Sequence, residues 1–471
     1  MRERRVVRRQ RWCYSIGLVA LACAVDPARA SGQAGPSGPL SLNDAIDLAL
    51  KNYPSIKETR ARAQAAEEDV GVARTAYLPR LDMIWQENRA TTNNVFGVLF
   101  PQSTIFSMTG PVLGTRSLSD SVWGSAAGVL LSWDAIDFGQ RKANVDVARA
   151  QTSFAKTQAA LTELDVASAA ADAFLTVLAA DESVRAARAN VDRLQVFANA
   201  VRTLVQNQLR PGADQSRAEA ELAVANNQLS QAVQLAEAAR ATLADAIGSP
   251  GTSFELSQGA LATVPSLTIE SMDVKTHPAA RAEQAAVEVV EARQRALDRA
   301  YYPRVTLQST IAARGTGADT PGVPSFGNGL WPQVPNWAVG ATVTFPALDF
   351  FSINARKRVE QQNELAERAR YDRTIQTVTT QEMKARSLMK AAADIARNTP
   401  VERRAATDGE SQARARYQSG LAGVTEVADA QRLLAQAEAD DAIARLGVWR
   451  ALLAAAQARG DLSTFIEQAR R

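Results

Sequence analysis

Tyr77-Leu78-Pro79-Arg80-Leu81-Asp82-Met83-Ile84-Trp85 closes an alanine- and charge-rich segment of helical character that starts at Leu42, and this junction decides the fold. Proline has no amide hydrogen to donate, and it pushes the residue before it towards extended geometry. The stretch therefore reads as a helix feeding a strand. It occurs twice. Moving forward 224 positions, Tyr53-Pro54 falls on His277-Pro278, Glu67 on Glu291, Ala76-Tyr77 on Ala300-Tyr301 and Pro79-Arg80 on Pro303-Arg304. Beyond the junction the match continues at an offset of 212: Leu131-Ser132-Trp133 falls on Val343-Thr344-Phe345, Asp137-Phe138 on Asp349-Phe350, Leu209 on Leu421, Asp214 on Glu426, Ala218 on Ala430 and Leu222 on Leu434. The change of offset lies in long loops, where insertions are tolerated. The chain reads as a tandem duplication, with a leader at 1–30 and repeats at 31–262 and 263–471.

The strands carry a two-residue period. Val305, Leu307 and Ile311 alternate with Thr306, Gln308 and Thr310, and Trp337, Val339, Ala341, Val343 and Phe345 alternate with Ala338, Gly340, Thr342 and Thr344. The first half repeats this with Leu81, Met83 and Trp85, then Ala127, Val129, Leu131 and Trp133. One greasy and one polar face suits a strand between lipid and a wet lumen, although for an isolated segment a half-buried strand of a soluble sheet is the better-supported reading. Polar connections at 91–122 and 315–336, and Trp85, Trp133, Trp331 and Trp337 at girdle positions, fit an outer-membrane barrel. Roughly eight strands are needed before a barrel interior is filled, so four require an oligomer.

From Asp137 and Asp349 two helical segments run for roughly 70 residues, on the order of 100 Å at 1.5 Å per residue. In the first, Ala173, Ala180, Ala187, Leu194 and Val201 keep a seven-residue spacing beside Val177, Val184, Val191, Ala198 and Val205. That is a coiled-coil seam. Each long helix ends in a turn, Asn207 to Gly212 and Gln418 to Gly423, followed by a returning helix at Ala213–Ile247 and Val424–Ala458. Pro400 is expected to kink the second long helix. The fold class is therefore α+β, a long helical coiled coil with a four-stranded contribution to a larger barrel.

Arg2, Arg4, Arg5, Arg8, Arg9 and Arg11, the apolar run from Trp12 to Val25 and Ala28-Arg29-Ala30 read as a secretory signal cut after Ala30. Both cysteines, Cys13 and Cys23, lie in it; Cys23 would be the site of lipidation, but Ala20-Leu21-Ala22 matches that pattern poorly. The whole-chain net charge is +3, and the leader's seven arginines against Glu3 and Asp26 more than account for it, leaving the remainder near −2. A nucleic-acid partner loses its support. No later stretch is long and apolar enough for a spanning helix. His277 is the single histidine and precedes a proline, which suits a structural role. Without mature cysteine, histidine cluster or phosphate loop, no catalytic residues, metal ligands or cofactor are assigned.

The duplicated units, the Tyr-Leu-Pro-Arg and Tyr-Tyr-Pro-Arg junctions, the turn Arg416-Tyr417-Gln418-Ser419-Gly420-Leu421 with Glu426-Val427 and Asp429-Ala430, and Leu209-Arg210-Pro211-Gly212-Ala213-Asp214 resemble the TolC-like outer-membrane efflux proteins. The resemblance spans Leu40 to about Arg459. It implies a homotrimer with a twelve-stranded barrel in the outer membrane of a Gram-negative bacterium and a helical tunnel across the periplasm. It further implies a periplasmic adaptor touching the tip turns at Leu209, Arg210, Pro211, Gly212, Gly420, Leu421 and Gly423, and an inner-membrane transporter of the resistance-nodulation-division or ABC type. Carried over by position, Tyr417 and Asp214 match a link that holds the periplasmic gate shut, Glu426 and Asp429 match the acidic constriction, and the family's gating arginine is Ala422 here. The implied function is a passive exit duct for small molecules. Alternatives are a type I protein-secretion or heavy-metal efflux component or, from another class, a periplasmic coiled-coil adaptor or structural protein.

Overall fold

The computed structural model describes residues 39–91, 121–266, 273–317 and 329–470. The expected leader with Cys13 and Cys23, nearly all of the linker after it and most of both long polar loops lie outside the described residues. Pro39–Arg471 forms one compact unit.

Helix α1 (Leu42–Asn52) starts in a capping box: Ser41 accepts from the Asp44 amide while the Asp44 carboxylate accepts from the Ser41 backbone. Helix α2 (Pro54–Thr75) opens on a proline, whose missing N–H is unneeded in a first turn, and ends just before Pro79. Strand β1 (Arg80–Thr91) follows, then β2 (Ser121–Ile136), α3 (Gln140–Gln206) and α4 (Gly212–Ala246). The second repeat gives α5 (Pro278–Arg299), β3 (Arg304–Thr316), β4 (Val334–Thr344), α6 (Phe350–Gln418) and α7 (Val424–Arg459), and α8 (Ser463–Arg470) closes the chain. Helices α2 and α5 have the same 22-residue length and both start on the proline of the 224-residue match. Helix α6 runs through Pro400 unbroken.

Duplication extends to single contacts. Glu67 of α2 pairs with Lys156 of α3, and its counterpart Glu291 of α5 pairs with Arg368 of α6 at 3.3 Å. Lys156 and Arg368 stand 212 apart, so the same interhelical ion pair is built twice.

The four strands form one antiparallel sheet in the order β1-β2-β3-β4. Directly opposed residues in an antiparallel pair share a face, and the register assembles Met83, Val129, Ile311 and Trp337 into one row across all four strands. Leu81, Leu131, Ser309 and Val339 form the next row. On this face Met83 is 83 % and Ile311 69 % exposed. The other face carries Arg80, Ser132 and Gln308 in one row and Asp82, Thr310 and Ala338 in another, and Thr306 donates to Asp134 at 2.6 Å. From Trp337 to Phe345 the greasy face covers eight residue steps, ~26 Å at ~3.3 Å per step, which matches the apolar band of an outer-membrane barrel, about 25 Å tall.

Aromatic residues mark both ends of that band. Trp85 meets Trp331 edge-on at 6.2 Å at one end. At the other, Phe138 stacks on Tyr302 at 6.0 Å, Tyr301 lies 5.9 Å from Phe350, and the Trp133 indole donates to the Tyr77 carbonyl at 3.0 Å. Tyrosine and tryptophan sit at such interfaces because one part of the ring is greasy and the other needs a polar partner. Among the described residues no helix is long and apolar enough to cross a membrane.

Helix α3 is the spine, packing against α1, α2, α4, α5 and α7. All the seam positions expected from its seven-residue spacing are buried or half-buried. The main core lies midway along the helices, where Phe174, Leu175, Val177, Trp449, Leu452 and Phe465 are buried together and the Trp449 indole donates to the Thr263 carbonyl at 2.8 Å. Close by, His277 caps α5: its Nδ1 accepts from the Ala279 amide at 3.1 Å and its Nε2 donates to the Gln457 carbonyl at 3.2 Å. Both ring nitrogens are engaged as a neutral imidazole. Burial pushes its pKa below 6.5, with the Gln457 carbonyl and the Asp165 charge pulling the other way. The imidazole is structural, as its place before Pro278 suggests.

Candidate functional site

The two helical hairpins, α3–α4 and α6–α7, end in the same turn. The Leu209 amide donates to the Leu204 carbonyl at 2.9 Å, and the Leu421 amide donates to the Arg416 carbonyl at 2.8 Å, five residues back in each case. That bond closes a helix end through one left-handed residue. In the second hairpin that residue is Gly420 (φ 77°), which has no Cβ to clash. In the first it is Gln208 (φ 61°), a conformation that costs a side-chain-bearing residue about 1–2 kcal/mol. Leu209 and Leu421 sit just beyond, 67 % and 72 % exposed. Each turn therefore presents a leucine to water.

Behind the turns lies a small core in which Phe197, Ala198, Val201 and Ala218 of the first hairpin meet Ala413, Tyr417, Val424 and Val427 of the second. Tyr417 is 3 % exposed and lies 5.5 Å from Phe197, edge to face. Its hydroxyl is buried with no hydrogen-bond partner among the described residues. Burial pushes the phenol's pKa up, the Asp214 charge adds to the rise, and Arg210 opposes it. Asp214 thus stands near enough for its field to act on Tyr417, in the first turn of α4, but no hydrogen bond joins them.

Arg210 holds Tyr417 in two ways. Its guanidinium lies over the ring, 4.5 Å from the centroid, and its Nη2 donates to the Tyr417 carbonyl at 2.8 Å. The two residues are 207 apart in the chain, so linear spacing gave no sign of the contact. A signal existed in the repeat itself, which sets both residues at the ends of matching hairpins.

The acidic pair is not bare. Glu426 pairs with Arg416 at 3.1 Å, and Asp429 pairs with Arg432 at 3.2 Å, which also reaches Glu221 of α4 at 3.5 Å. All are at the surface, where such pairs contribute roughly 0–1 kcal/mol. Farther from the turns, Arg193 of α3 clamps Glu438 of α7 with both prongs, at 2.9 and 3.2 Å, in a half-buried setting.

A family model described as "Outer membrane efflux protein" matches residues 45–249 and 274–461. The chain belongs to the outer membrane efflux protein family. Solved structures repeat the fold. The Campylobacter jejuni CmeC outer membrane channel is 15 % identical over 91 % of this chain and 89 % of its own, with a TM-score of 0.72. The Neisseria gonorrhoeae MtrE outer membrane channel, solved in an open state, is 19 % identical over 89 % of both chains, with a TM-score of 0.70. VceC from Vibrio cholerae, an outer membrane protein, is 17 % identical over 89 % of this chain and 96 % of its own, with a TM-score of 0.70. No curated protein sequence matches the chain.

As an outer membrane efflux protein the chain is a channel and not an enzyme, sited in the outer membrane of a Gram-negative bacterium and reaching into the periplasm. Channels of the family are trimers that work with adaptor and inner-membrane pump partners. This outer membrane efflux protein shows the mostly helical fold, four-stranded sheet and tandem repeat that its sequence led one to expect.

Proposed function

We propose that three copies of this chain form the exit duct of a tripartite export machine for small molecules. In this reading the sheet meets lipid with its Met83-Val129-Ile311-Trp337 row, and the polar face of Asp82, Thr306, Gln308 and Thr310 lines the water-filled bore. The hairpin turns at Leu209–Gly212 and Gly420–Gly423 seat a periplasmic adaptor, with the two exposed leucines as its apolar footholds. The pump above which it stands is of the resistance-nodulation-division or ABC type. The observation that carries the reading is the sheet, whose greasy face runs across both repeats and has no covering layer among the described residues.

Glu426 and Asp429 mark the constriction, and their partners set how strongly they act. Three copies of two carboxylates favour cations in a narrow opening, but Arg416 and Arg432 offset that field. Purified trimers in planar bilayers test this together with the duct reading. Replacing both carboxylates with alanine should lower the cation-to-anion permeability ratio about twofold, and replacing Arg416 and Arg432 should raise it by a similar factor. An unchanged ratio in both variants removes the acidic constriction, and trimers that never conduct remove the duct.

A further inference from the structure

Partway along the α6–α7 hairpin a groove of about 370 Å³ lies between the two helices. Small residues open it. Ala391 of α6 and Ala444 of α7 line it, and a Cβ built on Gly447 of α7 would meet nothing within 4 Å. Glycine inside a helix weakens it; what Gly447 supplies in return is room. The rest of the lining is divided by chemistry. Leu388, Ile395 and Ile443 form an exposed apolar stretch. Glu402 and the half-buried Asp440 stand at the other end, brought level by the neighbouring Arg403–Asp441 ion pair at 3.2 Å. No lysine or arginine lines the groove. Arg403 is held by Asp441, and Arg450, three residues beyond Gly447, donates to Thr176 of α3 at 2.5 Å. Asp440 accepts from the neutral Gln436 amide at 2.9 Å, and Glu402 makes no ion pair among the described residues. Two carboxylates beside apolar walls attract a positive charge that carries an apolar body.

Between the apolar and acidic parts lies Thr399. It is 5 % exposed and lines the groove, yet its Oγ1 has no hydrogen-bond partner among the described residues. Thr377, Thr379, Thr380 and Thr407 of the same helix each donate to the carbonyl four residues back. Thr399 does not, and a buried hydroxyl left unpaired is costly. A polar hydrogen in the groove would satisfy it. The groove also has a defined side. At ~100° per residue Gly447 lies roughly 200° around α7 from Trp449, and Trp449 faces the main core where residues of α1 and α8 are packed. The groove therefore opens on the side of the helical layer away from α1 and α8.

We propose that this groove is a resting site on the bore wall for an amphiphilic organic cation. The cationic nitrogen sits between Glu402 and Asp440, an N–H of the ligand meets the Thr399 hydroxyl, and the apolar body lies along Ile395, Ile443 and Leu388. Ile395 and Glu402 are seven residues apart, ~10 Å along the helix, which suits a fused-ring amine. The proposal rests on the duct reading, which makes the side away from α1 and α8 the bore, and it gives that duct a class of substrate.

The test uses full-length trimers in lipid nanodiscs, with rhodamine 6G, a monovalent cation on a flat fused-ring body, as probe and fluorescence anisotropy as readout. Empty nanodiscs give the lipid background. Wild type should bind the dye saturably, one per subunit, and anionic fluorescein of similar shape should not compete. Gly447→Leu, whose side chain fills the open space, should weaken binding roughly tenfold or more. The double variant Glu402→Gln, Asp440→Asn should do the same, and Thr399→Val should weaken binding about fivefold, as the loss of one hydrogen bond does. Wild-type affinity in Gly447→Leu or in the carboxamide variant overturns the site, and if Gly447→Leu yields no trimer the carboxamide variant decides alone. Wild type that takes up no more dye than empty nanodiscs also overturns it, the result expected if a neighbouring copy covers the groove. Current through the same trimers in planar bilayers separates the site from the duct. The dye should lower the wild-type single-channel current and leave that of Gly447→Leu unchanged; binding with no effect on the current overturns the place on the bore wall. Trimers that never conduct defeat the duct reading, and the anisotropy result still decides whether the groove binds the cation.

Discussion

Leu307→Arg should remove the protein from the outer membrane as an assembled trimer, whereas Gln308→Arg should be tolerated. The two residues are neighbours on β3, yet they point to opposite faces of the sheet. Leu307 opposes Trp133 and Ala341 on the greasy face, Ala341 being midway between Trp337 and Phe345, and is 41 % exposed. An arginine on the lipid face near the midplane costs about 2–4 kcal/mol per site, and threefold symmetry imposes that cost three times in one barrel. Gln308 opposes Ser132 and Gly340 on the face that carries Asp82 and Thr310. A guanidinium there meets water. Outer-membrane fractionation with unheated gels measures the difference, and equal trimer yield from both variants would mean that the greasy face does not lie against lipid.

Trp449→Ala should be the most damaging single truncation in the helical part, with a loss of about 3–5 kcal/mol. Trp449 is 1 % exposed and sits where α7 crosses α3, edge-on to Phe465 at 6.0 Å. Removing the indole leaves a void too tightly enclosed by Phe174, Leu452 and Phe465 to collapse, and it strands the Thr263 carbonyl that the indole satisfies. Trp449→Phe keeps most of the volume and should lose roughly half as much. The onset of trypsin cleavage with temperature, followed on purified trimers, separates the two variants from wild type; coincident curves would show that this core does not limit stability.

Much of this fold could be read directly from the chain, because proline punctuates it. Pro54, Pro79, Pro278 and Pro303 fixed helix starts and helix-to-strand junctions by covalent geometry alone, and the structure places α2, α5, β1 and β3 accordingly. The seven-residue rows of α3 pointed to the seam, whose positions are buried or half-buried. The returning helices start and stop within a residue of the sequence reading. What sequence could not show is pairing across long separations. Arg210 was readable as a turn residue, but its grip on Tyr417 depends on how two hairpins lie side by side, and periodicity along one helix carries nothing about that. The arginine partners of Glu426 and Asp429 escaped for another reason: surface pairs depend on rotamers that many neighbouring arginines could supply equally well.

The two edge strands of the sheet, β1 and β4, are expected to meet between subunits. Because the count of strands is even, β4 of one copy runs antiparallel to β1 of the next, and three copies close a ring with no edge left for aggregation. Cysteine pairs test this directly, since the natural cysteines are confined to positions 13 and 23. Single cysteines at alternate positions of β1 from Asp82 to Gln86 are combined with single cysteines at alternate positions of β4 from Asn336 to Thr344, and cells are oxidised before denaturing gels without reductant. One register should yield covalent dimers and trimers; monomer bands from every pairing would contradict a barrel shared among three subunits.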